Sequence, residues 1–363
     1  MSLASTADQN YSIAEYFLKR NLKFVILLLV ALFIFWIFGR NLDWDSVIRS
    51  LARAKAAYII SAVLIICLGY LLRAKRWQVL LEPITKTSMR ELFATTTVGF
   101  TAVFLVGRAG EIVRPMWLPM RDKRVRPSAA LVTLGIERVF DFAAIVSFFS
   151  ANLIIMPVPA GREYEFGYAK IIGFALLGCV IAGFVTLYIY HRIAERVIAF
   201  VSRVTHSRFV PGKIRRIIIS ILKQLAKSLD ILRDWREIVS ISFWTLLLWL
   251  AISIPTWLVM EAFDLQLGLS AALFVMGWAS FGSIVPTPGG AAGAFHAATA
   301  GGLIVLNVGQ ETAAAVSIVM HLVYFAPAVI FGVYYFLRGD ISIKGFKNIL
   351  SSDQHVTEVA ADA

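Results

Sequence analysis

"SFGSIVPTPGGAAGAFHAATAGG", residues Ser280 to Gly302, decides how the chain is read, because two prolines, two paired-glycine steps and a histidine interrupt an otherwise apolar run. A membrane helix satisfies its backbone N–H and C=O groups internally, and each interruption releases some of them. Pro286 and Pro288 end a helix, while Gly289 and Gly290 let the chain reverse. The stretch reads as the bend of a hairpin that enters the bilayer and leaves by the same face. Irregular backbone at that depth survives only when it is buried in protein or lines a water-filled cavity, so the bend predicts a site. The plainer alternative is a packing kink, since Pro and Gly are common in membrane helices.

The rest of the chain supports a membrane setting. Its 363 residues are 59% hydrophobic, 13% aromatic and 16% charged, with a mean hydropathy of +0.75. That composition excludes a water-soluble globule and leaves no stretch for a soluble catalytic domain. The uninterrupted runs Phe24–Phe38, Tyr58–Leu72, Ala129–Met156, Ile171–Tyr190, Val239–Met260 and Ala313–Leu337 predict an all-α polytopic protein with about six full spans. An even number puts both termini on one side. Lys19, Arg20 and Lys23 near the start, with Arg338, Lys344 and Lys347 near the end, make that side the cytoplasm.

Two apolar regions remain, Leu92 to Val106 and Leu273 to Leu306. Arg73, Lys75, Arg76, Lys86 and Arg90 precede the first, and Arg108, Arg114, Arg121, Lys123, Arg124 and Arg126 follow it. Glu261, Asp264 and Glu311 flank the second, without Lys or Arg. By the same charge rule the first has both flanks inside and the second both outside, which predicts two opposed re-entrant helical hairpins. Residues 1–22 read as a cytoplasmic segment without a cleavage-type ending, 23–340 as one transmembrane domain, and 341–363 as a disordered cytoplasmic tail. Cys67 and Cys179 both fall in apolar runs and suggest neither a disulfide nor a metal site.

The net charge of +12 is concentrated in part between residues 191 and 237. There Ile214, Ile217, Ile218, Ile221, Leu222, Leu225 and Leu229 form a helical stripe flanked by Lys213, Arg215, Arg216, Lys223 and Lys227. The pattern predicts a cytoplasmic interfacial helix, drawn to anionic headgroups by about 1 kcal/mol per basic residue. Nucleic-acid binding is not expected, because no recognition fold or aromatic interleaving accompanies the charge. Trp44, Val47, Ile48 and Leu51 predict a second surface helix, on the outside, although Arg49, Arg53 and Lys55 break the charge rule there.

The chain also resembles itself. "SAALVTLGIERVFDFA" (Ser128 to Ala143) aligns without gaps to "TAAAVSIVMHLVYFAP" (Thr312 to Pro327), and Leu92–Glu111 resembles Leu273–Ala292. Each copy is a hairpin followed by a full span, so the expectation is an inverted repeat with a site near the midplane. Glu137, Arg138 and Asp141 sit about 12 to 20 Å along their span, and His321 lies at a similar depth from the other face. Ionisable groups there face a partner or a cavity. Arg138 and Asp141, three apart, can pair, while Glu137 and Asp141 share a face. An internal salt bridge that only fixes packing is the competing reading, and a satisfied core histidine is the competing reading for His321. His296, just beyond the bend at a helix start, is expected near a docked phosphate.

"GRAGEIVRP" (Gly107 to Pro115), "ERVFD" (Glu137 to Asp141) and "PTPGGAAGAFHAA" (Pro286 to Ala298) resemble three hallmark segments of the lysylphosphatidylglycerol synthase transmembrane-region family, the flippase-like domain also found in the multiple peptide resistance factor. The resemblance implies a multi-pass protein of a bacterial or archaeal cytoplasmic membrane that moves lipids between leaflets. It implies Arg108, Glu111 and Arg114 in the first motif, Glu137, Arg138 and Asp141 in the second, and Pro288, Gly289, Gly290 and Gly293 in the third as substrate-contacting positions. His296 and His321 depart from the pattern, which usually has an acid and an arginine there. With no synthase domain after Leu337, aminoacyl-lipid synthesis is not expected.

Three function classes follow. The first is a lipid flippase working by alternating access, with anionic or neutral phospholipids as partners, and admitting a homodimer and lipid-biosynthesis enzymes as further ones. The second is a non-transporting accessory subunit of lipid or envelope biosynthesis. The third, an enzyme pairing Ser280 or Ser283 with His296 or His321, lacks a nucleophile motif and a third orienting group. No cofactor, metal or catalytic residue is expected, and the two histidines have no metal-ligand spacing.

Overall fold

In the computed structural model, the described residues are 42–82, 85–158, 163–205 and 235–338, with single residues at 29, 33, 36, 40, 161, 219 and 222. All regular structure among them is helical. Helix α1, Trp44–Arg53, is capped by Asp43, whose carboxylate accepts from the N–H groups of Asp45 and Ser46 at 3.1 and 3.3 Å. There follow α2 (Ala56–Leu81), α3 (Met89–Val106), a 3-10 turn (Gly107–Ile112) and α4 (Val113–Arg121). The second half comprises α5 (Pro127–Ile155), α6 (Glu163–Val204, bent at Ile193), α7 (Trp235–Ala262), α8 (Gly268–Gly282), α9 (Pro288–Val305) and α10 (Gln310–Arg338).

The chain is an all-α multi-pass membrane protein. Among the described residues, five helical stretches are long and apolar enough to cross a bilayer: Ala56–Leu81, Met89–Arg121, Phe166–Tyr190, Trp235–Ala262 and Gln310–Arg338. Four of them coincide with expected spans. A fifth expected span is α5, 29 residues long, which carries Glu137, Arg138 and Asp141 in its interior. The sixth, Phe24–Phe38, lies outside the described residues apart from three isolated positions, as do residues 1–22, the 341–363 tail and all of the 214–229 stripe but Leu222. The helix read as Tyr58–Leu72 continues to Leu81. Arg73 and Arg76, read as flanking charges, therefore lie within it.

Met89–Arg121 is not one rod. Gly99 on α3 abuts the Arg114 side chain on α4, and Gly110 lies on the backbone of Ala102 and Val103, where no β-carbon fits. Fifteen residues of straight helix would separate Gly99 from Arg114 by about 22 Å, so the chain folds back at the 3-10 turn. A second folded-back pair is α8 and α9, where Gly282 abuts Ala294 and Ala298.

Contacts along α10 fix the depth of the first turn. α3 runs antiparallel to α10, with Phe93 against Phe331 (ring centroids 5.5 Å), Thr101 Oγ1 donating to Ala328 O at 2.9 Å, and Phe104 beside His321 at 6.1 Å. α3 thus ends level with the middle of α10. Its pair opens toward the end where Trp117 meets Phe336. The α8–α9 pair opens toward the opposite end, where the Lys55 N–H donates to Ala262 O at 2.9 Å and Asn152 and Ser270 exchange hydrogen bonds.

Helices in lipid gain little from excluding water, so small residues and polar bonds hold them together. A β-carbon on Gly69 would sit 3.9 Å from that of Ala251, which brings α2 close to α7. Tyr70 Oη donates to Tyr324 O at 2.8 Å, and Trp77 Nε1 to Thr133 Oγ1 at 2.9 Å. Helix α1 lies on this core through Val47, packed with Leu42, Ala314 and Ala315, as its stripe predicts. The basic residues that break the charge rule there are partly matched locally: Lys55 pairs with Asp264, and Arg49 lies 3.6 Å from Asp43.

Candidate functional site

The two turns meet in the interior. Gly107, with φ 73° and ψ −158°, has a backbone that glycine alone adopts readily. A β-carbon there would stand 2.9 Å from Thr287 O. Arg108 Nε donates to Ser283 O at 3.0 Å, tying the first turn to the second. In the second turn Gly289, Gly290 and Ala291 all adopt left-handed conformations, with φ of 75°, 63° and 63°. Ala291 does so with a β-carbon, at about 1–2 kcal/mol. Gly290 has a second constraint, since the Phe325 ring lies 2.8 Å from where its β-carbon would be.

Beside the joined turns lies a cavity of 660 Å³. Its polar lining is Arg73, Arg108, Glu111, Arg138 and Asp141, and its apolar lining includes Phe100, Val146, Phe149 and Trp249, with the Phe100 ring against Arg73. Phe142, Phe281 and Ile284 line it as well, yet are 63%, 51% and 59% exposed, so its apolar side reaches the protein's outer surface.

A charge network backs the polar lining. Asp141 accepts from Arg76 Nη1 at 2.5 Å and Nη2 at 3.1 Å, and Nη2 of its helix neighbour Arg138 lies 3.2 Å from its Oδ2. Arg114 Nη1 donates to Glu137 Oε2 at 2.8 Å, with its guanidinium 4.4 Å from the Trp77 ring centre. Arg108 pairs with Glu111 at 3.0 Å, and Arg138 reaches Glu111 at 3.7 Å. Arg76, Arg114 and Glu137 are 1%, 3% and 1% exposed, so each depends on its partner to offset desolvation.

Among the residues singled out by sequence, Arg108, Glu111, Arg138, Asp141 and Gly290 are on the cavity wall. Arg114 and Glu137 stand behind it. The expected i, i+3 pair of Arg138 and Asp141 is present. Pro288, Gly289 and Gly293 shape the second turn and the helix after it without lining the cavity.

The two histidines sit apart from the cavity. His296 and His321 are buried off the wall, their ring centroids 4.9 Å apart, with Phe104, Phe295 and Phe325 around His321. The hydroxyl near His296 is that of Ser317, 3.5 Å from Nδ1, while Ser283 Oγ donates to Ala279 O. The left-handed turn accounts for this: right-handed helix begins only after Ala291, and His296 faces α10 rather than the cavity.

Sequence reasoning missed Arg73 and Arg76 as site residues by counting them as flanking charges. The available signal was the continuing helical period of Tyr70, Ala74, Trp77 and Leu81, all buried, which carries the helix past both arginines.

A family model described as the lysylphosphatidylglycerol synthase TM region matches residues 23–332. No curated protein matches the chain.

Proposed function

The chain belongs to the lysylphosphatidylglycerol synthase transmembrane-region family, and from that premise we propose that it is a flippase moving a phospholipid or other polar lipid between the leaflets of a bacterial or archaeal cytoplasmic membrane. The observation that carries the reading is a cavity lined by both charged and apolar residues, whose apolar lining reaches the outer surface at Phe142, Phe281 and Ile284. A headgroup and its acyl chains need those two environments side by side, and 660 Å³ lies within the usual span of ligand sites, about 300–1,000 Å³.

Alternating access supplies the mechanism. We read the two folded-back pairs as re-entrant hairpins, and the units α3–α5 and α8–α10 as inverted repeats, each a hairpin followed by a long helix. Such repeats hold the site at their interface near the midplane, and rocking one against the other exposes it to each face in turn. The network of Arg76, Arg114, Glu137 and Asp141 keeps α2, α4 and α5 together during that motion. The Arg108 bond to Ser283 and the seat of Gly107 on Thr287 are contacts between the hairpin tips that rocking must remake.

Leaflet exchange tests the reading. Purified protein in liposomes containing fluorescent analogues of its co-purified lipids should accelerate exchange over protein-free liposomes. No acceleration with any of those lipids would remove the flippase reading and leave the accessory-subunit one.

A further inference from the structure

The cavity is not electrically balanced. Five guanidiniums, those of Arg73, Arg76, Arg108, Arg114 and Arg138, share this region with three carboxylates, Glu111, Glu137 and Asp141. Four of the arginines pair with these acids. Arg73 does not. Half-buried on α2, it faces the cavity with no ion-pair contact or hydrogen bond among the described residues; the acid that acts on it most is Asp141, already held by Arg76 and Arg138, and the Phe100 ring lies 4.8 Å from its Cζ.

A cation in an apolar setting is costly unless matched, and two positive charges in excess call for two negative ones. Resting on the flippase reading of this site, we infer that the ligand is a lipid whose headgroup carries two negative charges on phosphate, as a phosphomonoester or a diphosphate, and that Arg73 is its specificity-determining anchor. A planar guanidinium offers two parallel N–H donors to two phosphate oxygens. A phosphodiester brings one negative charge and leaves one arginine unmatched. A phosphomonoester approaches two at neutral pH. The apolar lining, open through Phe142, Phe281 and Ile284, takes the acyl or prenyl chains, which selects a lipid over a soluble phosphate.

Because Asp141 keeps its contacts to Arg76 and Arg138, replacing Arg73 leaves no acid stranded, and both Arg73→Gln and Arg73→Lys should fold like the parent. The test is native mass spectrometry of the detergent-purified protein offered equal amounts of phosphatidic acid, phosphatidylglycerol and phosphatidylcholine. The expected order of retention is phosphatidic acid, then phosphatidylglycerol, then phosphatidylcholine. Arg73→Gln should weaken phosphatidic acid binding by about tenfold or more, and Arg73→Lys should restore part of it. Equal retention of phosphatidic acid and phosphatidylglycerol by the parent, or an undiminished preference in Arg73→Gln, would overturn the inference. Displacement of the lipid by equimolar glycerol 3-phosphate would overturn the lipid source. The two readings fail separately: charge-selective retention without leaflet exchange sinks the flippase alone, and leaflet exchange without charge selectivity sinks the anchor alone.

Discussion

A β-carbon on Gly107 would stand 2.9 Å from the carbonyl oxygen of Thr287, so the turn of one folded-back helix pair rests backbone to backbone on the turn of the other. Neither turn can be altered at this point without moving its counterpart.

Gly107→Ala should therefore destabilise the protein by about 1–3 kcal/mol from its backbone conformation alone, with the clash against Thr287 added. Gly135→Ala is the control, since nothing lies within 4 Å of that position, and it should be neutral or stabilising by up to about 1 kcal/mol. Thermal unfolding in detergent distinguishes them. Equal melting temperatures for the two variants would show that the tips are not rigidly seated.

Asp141→Asn should cost about 3–5 kcal/mol, because it strips buried Arg76 of its two-bond partner and leaves only the Glu137 carboxylate, 4.0 Å away. Combining it with Arg76→Gln should recover part of that loss. A double-mutant cycle reads this directly, and strict additivity would mean that the two residues act independently.

His296→Gln should leave lipid retention unchanged, since His296 lies off the cavity wall beside Ser317 and His321. His296→Ala should lower stability by about 2–3 kcal/mol through the void it opens. A tenfold drop in retained lipid with Gln would place the histidine in the binding path after all.

Cysteines at positions 86 and 124 should be labelled from one face of the membrane and those at 264 and 311 from the other. Arg124 Nη2 donates to Lys86 O at 3.1 Å, joining the first two positions, while the Lys55–Asp264 pair belongs to the opposite end of the bundle. Labelling of 86 and 264 from one face would break the inverted arrangement.

Between α4 and α5, hydrogen bonding by the Arg124 side chain and N–H holds the Asp122 carboxyl below the usual carboxylate range. Its folded-state value lies under its unfolded one, so the stabilisation is complete above about pH 4 and is lost as pH falls through the folded value. The difference in melting temperature between the parent and Asp122→Asn should hold from pH 7 to about pH 4 and close below it.

Much of this was legible in sequence where a residue violates its surroundings. Glu137, Arg138 and Asp141 stand out because charge in an apolar run demands a partner, and the Pro–Gly bend because lipid offers no substitute for a lost backbone hydrogen bond. Residues that conform locally were harder to place. Arg73 and Arg76 follow an apolar run, as flanking charges do, and the faint period that continues through Trp77 and Leu81 gains its meaning from their packing. The facing of His296 depends on three successive left-handed residues, and Ala291 gives no hint in sequence that it is one of them.

The positive excess around the cavity bears on the energy economy of the cell. A polar chamber halfway through a membrane invites hydronium and sodium to slip through and discharge the ion gradients that drive metabolism. Fixed guanidiniums repel cations from such a passage, so on the flippase reading the arginines that leave the cavity unbalanced would also keep small cations out of it. On that reading an anionic headgroup would enter without opening an electrical short circuit.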